Sequence, residues 1–187
     1  KAFDLSYDYI INSNEKVAEK GHKTEEAINT IDEKLTRYLI SLSGEALSQK
    51  ESEVLTNILD SSRDLERIGD HAEALINLND YLQRKNVQFS EAALEELAEI
   101  YHKTSEFVKD ALESVENNDF KKAQALIERH EDINNMERVL RKTHIKRLNN
   151  GECSTQAGVN FIDIISHYTR VSDHAMNLAE KVLAEQI

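Results

Sequence analysis

Residues 64–72 read DLERIGDHA and residues 168–176 read YTRVSDHAM, so one pattern of charged and small residues occurs twice in the chain. A shift of 103 positions brings identical residues into register: Arg67, Asp70, His71, Ala72 and Leu75 fall on Arg170, Asp173, His174, Ala175 and Leu178. So many identities in so short a stretch exceed what shared helical composition gives. The two stretches therefore indicate an internal repeat.

The rest of the chain is periodic in the way that helices are, and it contains no proline. Three glycines in short polar stretches mark loops: Gly21, Gly44 and Gly151. Ser48 and Glu51 form a capping-box pattern, and Ser90 and Ser154 are predicted N-caps. The sequence predicts six helices and no strand, over residues 2–19, 23–42, 48–84, 90–117, 119–149 and 154–185.

The helices form two similar sets of three, joined near residues 84–89. The predicted fold is therefore all-α, a tandem pair of antiparallel three-helix bundles with repeats at 1–86 and 87–187. The second helix of each set repeats at a shift of 105 and carries an apolar seam. In the first set this seam is Ile28, Ile31, Leu35, Tyr38 and Leu42, and its counterparts in the second set include Ile133, Met136 and Leu140.

A polar edge runs beside each of these seams. Glu25, Asn29 and Asp32 stand at i, i+4 and i+7, which places them on one edge of the second helix. The corresponding positions in the second set hold His130, Asn134 and Glu137. The repeat thus preserves a polar edge as well as a core.

The third helix places Glu66 and Asp70 outside its apolar seam, which is Leu65, Ile68, Ala72, Leu75 and Leu82. Two interpretations stay open. With Arg63 and Arg67, the two acids form a lattice of exposed ion pairs, each of which stabilises a helix by only about 0.2–0.5 kcal/mol. Alternatively, they converge with Asp64 and the second-helix edge into an oxygen-rich site. Such a site suits Mg²⁺, Ca²⁺, Mn²⁺ or iron.

Composition excludes several classes of function. The formal charge of −12 argues against nucleic acid as a partner, and no apolar run is long enough to insert in a membrane. Cys153 is the single cysteine, so no intramolecular disulfide forms. A di-metal oxidase needs paired Glu-x-x-His motifs, and the nominal pairs Glu19/His22 and Glu99/His102 lack a matching partner helix. A metal-dependent helical-bundle enzyme, either a phosphohydrolase or an oxidase, remains an alternative.

At RDLERIGDHA and its echo YTRVSDHAMNLAE, the sequence resembles the PhoU family, whose members are tandem three-helix bundles. The resemblance covers essentially the whole chain. The stretches THIKRLNNG and CSTQAG look most similar to the PhoU-like cytoplasmic domain at the C-terminus of bacterial sodium-dependent phosphate cotransporters. A membrane-embedded transporter part would then precede Lys1 on the same polypeptide.

PhoU proteins bind multinuclear metal clusters through paired acidic motifs, so the resemblance implies a divalent or iron-type metal ion here. Asp64, Glu66 and Asp70 match the motif of the first repeat, and Asp173 matches its last acid in the second. The second repeat departs from the motif, because Thr169 and His167 stand where acids are expected. The resemblance therefore implies a better site in the first repeat, with His130 as a nitrogen ligand in the second.

The resemblance also implies a regulatory function without catalysis. The chain would modulate phosphate uptake or signalling as a cytoplasmic domain of a membrane protein, through helix-surface contacts with the transporter and with a sensor or regulatory protein. A homodimer and a purely structural dimerisation bundle are further alternatives.

Overall fold

The computed structural model describes residues 1–44 and 47–184, which contain six α-helices and no strand. In chain order these are α1 (Ala2–Asn12), α2 (Glu15–Ser43), α3 (Gln49–Arg84), α4 (Glu91–Glu116), α5 (Phe120–Asn149) and α6 (Thr155–Ala184). The all-α prediction is confirmed. The predicted end of the last helix at residue 185 lies outside the described residues.

The six helices form two bundles that share one core. α1, α2 and α3 pack on one another, as do α4, α5 and α6, and α3 lies against α6 where the bundles meet. Fully buried side chains from both sides fill this region, among them Leu75, Phe107, Phe161 and Tyr168. α2 contributes little to the core, because only four of its 29 residues are buried.

The turns repeat as faithfully as the helices. Ser13, with a φ of 52°, directly precedes Asn14, the N-cap of α2. Asn118, with a φ of 49°, directly precedes Asp119, the N-cap of α5. These pairs are 105 positions apart, the same shift that relates the second helices. The predicted caps also form, since Ser48 and Glu51 make a reciprocal capping box and Ser90 and Ser154 cap α4 and α6.

The boundary between the first two helices was predicted wrongly. The first helix ends at Asn12 instead of residue 19, and Gly21 lies inside α2 instead of in a loop. Gly21 allows two helices to approach closely: a Cβ added there would lie 2.3 Å from Cδ1 of Ile76 on α3. The glycine is therefore a packing residue, and the turn is made by Ser13.

The predicted seams are also partly exposed. Ile31 and Tyr38 on α2, and Leu65 on α3, are exposed, although each lies on the apolar stripe of its helix. In the described residues, α1 (Ala2–Asn12) does not lie over this part of the α2–α3 pair. Among the described helices, none is long and apolar enough to cross a membrane.

Candidate functional site

The polar edges of α2 and α3 face each other along the first bundle. Glu66, Asp70 and Glu73 stand at i, i+4 and i+7 on α3, the same spacing as Glu25, Asn29 and Asp32 on α2. The two edges lie beside each other, since Ser62 on α3 contacts Asp32 and His22 on α2 contacts Glu73. We call their five acids the carboxylate cluster: Glu25, Asp32, Glu66, Asp70 and Glu73.

Hydrogen bonds join the two edges at both ends of the cluster. At one end, Ser62 Oγ donates to Asp32 Oδ1 at 2.6 Å. At the other, His22 Nδ1 lies 3.1 Å from Glu73 Oε1. Between them, the side-chain amide of Asn29 donates to Glu25. The cluster is therefore held as one unit across two helices.

Few cations balance these carboxylates. Arg67 is the main one, with its Nη1 3.2 Å from Asp70 Oδ2 and its Nε 3.7 Å from Glu66 Oε2. Part of the predicted ion-pair lattice is thus real. One exposed guanidinium leaves most of the negative charge of the cluster uncompensated.

Burial and mutual repulsion shift the acidities in this cluster. Glu25 is only 7% exposed, and the pKa of its carboxyl is raised by this burial and by the charges of Glu73 and Asp70. The pKa of Glu66 is raised by burial and then by the charge of Asp70, against the opposing effect of Arg67. Both shifts mean that the ionised cluster is electrostatically strained and would be relieved by a cation or a proton.

Sequence reasoning missed two members of this site, Glu73 and His22. Glu73 was detectable, because it continues the spacing of Glu66 and Asp70 by one further turn. His22 lies three residues before Glu25 on the same helical edge. It was overlooked because Gly21 was interpreted as a helix end, which placed His22 in a loop.

The donor types fit a hard divalent cation, since they are carboxylate oxygens with one amide and one hydroxyl. Within residues 1–44 and 47–184, however, no three His, Cys, Asp or Glu side chains are grouped closely enough to hold a metal ion. The chemistry of the cluster is therefore suited to a metal, while metal binding itself stays a prediction.

The second repeat replaces this cluster with paired groups. His130 Nε2 lies 2.9 Å from Asp173 Oδ1, and Glu137 Oε1 accepts from Arg141 Nε at 2.7 Å. Thr169 takes the position of Glu66, and its hydroxyl donates to the carbonyl of Ile165. The predicted residues Asp173, Glu137 and His130 thus lie on facing helix edges, but their charges are largely matched within the protein.

Asp64 does not lie in the carboxylate cluster, contrary to the expectation from sequence. It lies where α3 meets α6, with its Oδ1 3.0 Å from His174 Nδ1 and its Oδ2 3.2 Å from Lys181 Nζ. The equivalent contact of the other repeat is a histidine pair, His71 and His167, with Nδ1 atoms 3.0 Å apart. A shift of 103 maps Asp64 onto His167 and His71 onto His174, so one contact occurs twice at the joint between the bundles.

The Glu-x-x-His pairs that would suit a di-metal oxidase do not face each other. His22 is engaged with Glu73, whereas Glu99 and His102 are exposed on α4 in the other bundle. The arrangement of the described residues therefore gives no support to that enzyme.

The model of the PhoU domain family matches the chain over residues 1–78 and 97–182, one segment in each repeat. The chain belongs to the PhoU domain family. This membership confirms the resemblance drawn from DLERIGDHA and its echo. The link to sodium-dependent cotransporters stays a prediction.

Individual proteins named PhoU are similar to the chain in sequence or in fold. The phosphate-specific transport system accessory protein PhoU homolog 1 of Thermotoga maritima is 29% identical over 178 residues, covering 95% of this chain and 68% of that protein. The crystal structure of PhoU from Pseudomonas aeruginosa has a TM-score of 0.88 at 18% identity, covering 100% of this chain and 90% of that one. That of the phosphate transport system regulatory protein PhoU from Streptococcus pneumoniae has a TM-score of 0.84 at 20% identity, covering 99% and 86%.

These relatives correct one expectation about partners. The sequence led us to expect a membrane-embedded transporter part on the same polypeptide. The PhoU relatives are instead named as accessory and regulatory proteins. The expectation of a transporter fused to this chain is therefore wrong.

Proposed function

We propose that this PhoU-family chain regulates phosphate transport, acting in the cytoplasm on a transporter that is a separate polypeptide. Membership of the PhoU family over both repeats is the observation that carries this proposal. The relative from Thermotoga maritima, named as an accessory protein of a phosphate-specific transport system, supports it. Whether the transporter is sodium-dependent stays a prediction of the sequence.

The proposed mode of action is contact between helix surfaces and a partner protein, without catalysis. The carboxylate cluster lies along the outer pair α2 and α3, so a change in its charge alters a surface that a partner can sense. Binding of a divalent cation there would neutralise part of the repulsion recorded in the raised pKa values of Glu25 and Glu66. Glu25, Asp32, Glu66 and Asp70 would supply the oxygen ligands after a rearrangement of their side chains, because no three of them lie close enough together in the described structure.

Thermal unfolding with added Mn²⁺, Mg²⁺ or Ca²⁺ tests the metal part of this proposal. We expect millimolar metal to raise the melting temperature of the wild-type chain, because binding to the folded state alone stabilises it. The double variant Glu66→Gln/Asp70→Asn should lose this increase. Asp173→Asn is the matched control in the second repeat and should retain it.

Two outcomes would contradict metal binding at the carboxylate cluster. In one, the wild-type chain gains no stability from metal; in the other, the double variant gains as much as the wild type. Loss of the effect in Asp173→Asn alone would place the site in the second repeat instead.

The regulatory part is tested in cells. Deleting the gene from its host should change the rate of radiolabelled phosphate uptake or its response to external phosphate, and the full-length gene should restore both. Unchanged uptake and unchanged response would favour a purely structural role. A screen for phosphohydrolase and oxidase turnover with Mn²⁺ and Fe²⁺ completes the test, since activity abolished by Asp70→Ala would favour the enzyme.

A further inference from the structure

The joint between the bundles contains one contact twice, and the two copies differ in charge. At the first copy, Asp64 Oδ1 on α3 lies 3.0 Å from His174 Nδ1 on α6, and Asp64 Oδ2 lies 3.2 Å from Lys181 Nζ. At the second copy, His167 on α6 stands at the position of Asp64 and faces His71 on α3. We call His71 and His167 the histidine pair. The first copy thus holds a cation against a carboxylate, whereas the second brings two imidazoles together.

Within the described residues, no lysine takes the place of Lys181 at the histidine pair. The counterpart of Lys181 at a shift of 103 is Leu78, which packs against the apolar core. Arg67 and Arg170 act on His71 electrostatically. Each of these arginines is exposed and is paired with an acid of its own helix. The second copy therefore has nitrogen ligands at the place where the first copy has a built-in cation.

The two rings of the histidine pair meet through nitrogen atoms that can bind a metal. The Nδ1 atoms of His71 and His167 are 3.0 Å apart, and the ring centroids are 5.2 Å apart. Two imidazole nitrogens on a tetrahedral zinc ion, each about 2.0–2.1 Å from the metal, lie about 3.3 Å from each other. The two nitrogens therefore need to separate by only about 0.3 Å, with a rotation of the rings, to share such an ion.

Both imidazoles of the histidine pair are neutral at pH 7, which is the form that binds metals. The pKa of His71 is lowered from 6.5 to about 4, by burial first and then by His167, His174 and two arginines. The pKa of His167 is lowered by burial, against the opposing charge of Asp163. A metal ion therefore displaces no imidazolium proton. The hydrogen shared by the two Nδ1 atoms moves to Nε2 of its own ring.

Asp163 is placed to supply a third ligand. It lies four residues before His167 on α6, so the two side chains are neighbours on one face of the helix. The charge of Asp163 already acts on the imidazole of His167. The aspartate is exposed, so its side chain can rotate toward the histidine pair. This rotation is required, because the described residues contain no three such side chains in metal-binding positions.

We propose that the histidine pair and Asp163 bind a divalent transition metal of the zinc class, which ties α3 to α6. Imidazole nitrogen favours Zn²⁺, Ni²⁺ and Cu²⁺, whereas the oxygen ligands of the carboxylate cluster favour hard cations. The proposed site differs from that cluster in its residues, its helices and its preferred metal. A metal bound there connects the first bundle to the second, as Lys181 and Asp64 do at the other copy of the contact.

Zinc titration by calorimetry tests the site, with the untagged chain carrying Glu66→Gln/Asp70→Asn as the parent. We expect the parent to bind zinc, and His71→Gln to weaken this binding at least about hundredfold, since even groups outside the ligand set cost about 10–100-fold when removed. Asp163→Asn, at an exposed position, should weaken it at least about tenfold. Asp60→Asn is the matched control, because Asp60 is the counterpart of Asp163 at a shift of 103, and it should bind zinc as the parent does.

Copper gives a readout that is independent of affinity. The electron paramagnetic resonance spectrum of Cu²⁺ bound to the parent should show coupling to imidazole nitrogen, and His71→Gln should lose it. Three results would overturn the proposal: no binding of zinc by the parent at millimolar concentration, unchanged affinity in His71→Gln, or equal affinities in Asp163→Asn and Asp60→Asn. Because the parent already lacks two acids of the carboxylate cluster, none of these results bears on metal binding at that cluster.

Discussion

Glu25, a single residue of the carboxylate cluster, destabilises the folded chain when its carboxyl is ionised. Its pKa is raised above the ordinary value of 4.5, so the folded chain holds this proton more tightly than the unfolded chain does. The free energy of unfolding therefore falls as the pH rises through and above that value. Without metal, the site is most strained at neutral pH.

Glu25→Gln should therefore stabilise the metal-free protein. We expect its melting temperature to exceed that of the wild type at pH 7, by a margin that shrinks as the pH approaches 4.5. The hydrogen bond from Asn29 remains available to the glutamine carbonyl. Glu26→Gln removes the same charge from an exposed neighbour and should have little effect. A lower melting temperature for Glu25→Gln at pH 7 would show that the carboxylate is stabilised by its surroundings.

His71 gives the joint between the bundles the opposite pH dependence. Its pKa is lowered from 6.5 to about 4 by burial first, and then by nearby groups that are positively charged or become so: His167, His174, Arg170 and Arg67. The unfolded chain binds this proton more readily than the folded chain does. The contribution of neutral His71 to stability is thus complete above pH 6.5 and is lost as the pH falls toward 4.

Urea unfolding between pH 7 and 4.5 measures this effect. The wild type should lose stability over this range, and His71→Gln should lose distinctly less, because glutamine does not titrate. His102→Gln, on the exposed face of α4, is the control and should follow the wild type. If the free energies of unfolding of the wild type and His71→Gln fell equally with pH, the lowered pKa of His71 would be contradicted.

At the scale of elements, Gly21 sets the separation of α2 and α3. An added Cβ would lie 2.3 Å from Ile76 Cδ1 but 3.6 Å from Cγ1, so the clash is confined to one methyl group. Gly21→Ala should cost about 1–3 kcal/mol in the wild type through overpacking. Ile76→Val removes that methyl group and alone should cost about 0.5–1.5 kcal/mol.

The double variant is the informative measurement. It should be more stable than the sum of the single effects predicts, by about 1 kcal/mol or more, because the clash is gone and alanine favours the helix. Gly44→Ala is the control, since its Cβ would meet only the carbonyl oxygen of Ser41 at 3.6 Å. If the effects of the two substitutions on the free energy of unfolding were additive, the added Cβ at position 21 would not clash with Ile76.

The boundaries of the helices show which structural features can be predicted from the sequence. Caps such as Ser48 with Glu51 are local chemistry and were predicted correctly. Gly21 was not, because its role depends on Ile76, which is distant in sequence. Asp64 was placed in the cluster although it precedes Glu66 by two residues, and residues so spaced lie on nearly opposite sides of a helix. Helical geometry applied strictly would have separated them.

We expect the whole molecule to unfold as one unit, because its core contains residues of both repeats. Phe3 on α1 packs edge-on against Tyr168 of α6, with ring centroids 5.3 Å apart, and lies 5.4 Å from Tyr101 of α4. Asp4 accepts a hydrogen bond from the Tyr101 hydroxyl at 2.9 Å. The first helix is thus anchored in the second bundle as well as in its own.

Phe3→Ala should lower the free energy of unfolding by about 3–5 kcal/mol. We expect calorimetry to show one transition moved to lower temperature, with amides of α6 and α3 losing protection together. Ile11→Ala, at an exposed position of the same helix, is the control. Two transitions, of which only the first responds to Phe3→Ala, would mean that the repeats unfold independently.

At the scale of the whole molecule, the internal repeat could be predicted from the sequence. Whether another helix packs on the apolar stripe of each repeat could not. The pattern of Ile31 and Leu65 specifies an apolar stripe, and the internal repeat specifies its counterpart. Neither specifies whether a third helix lies on that stripe. The smaller charge of the second repeat was foreseeable from Thr169, which stands at the position of Glu66. The bond of Arg141 to Ser166 of α6 was not, because it joins two helices.

The aromatic contacts between α1 and α4 also give the molecule an intrinsic ultraviolet signal from tyrosine. The chain has six tyrosines and no tryptophan, and the rings of Tyr7 and Tyr101 stack with centroids 3.6 Å apart. Tyr168 lies beside them, 6.2 Å from Tyr101. Three of the six tyrosines therefore lie at the place where the two repeats join. Ultraviolet light alone can thus report whether that joint is closed, with no dye attached to the protein.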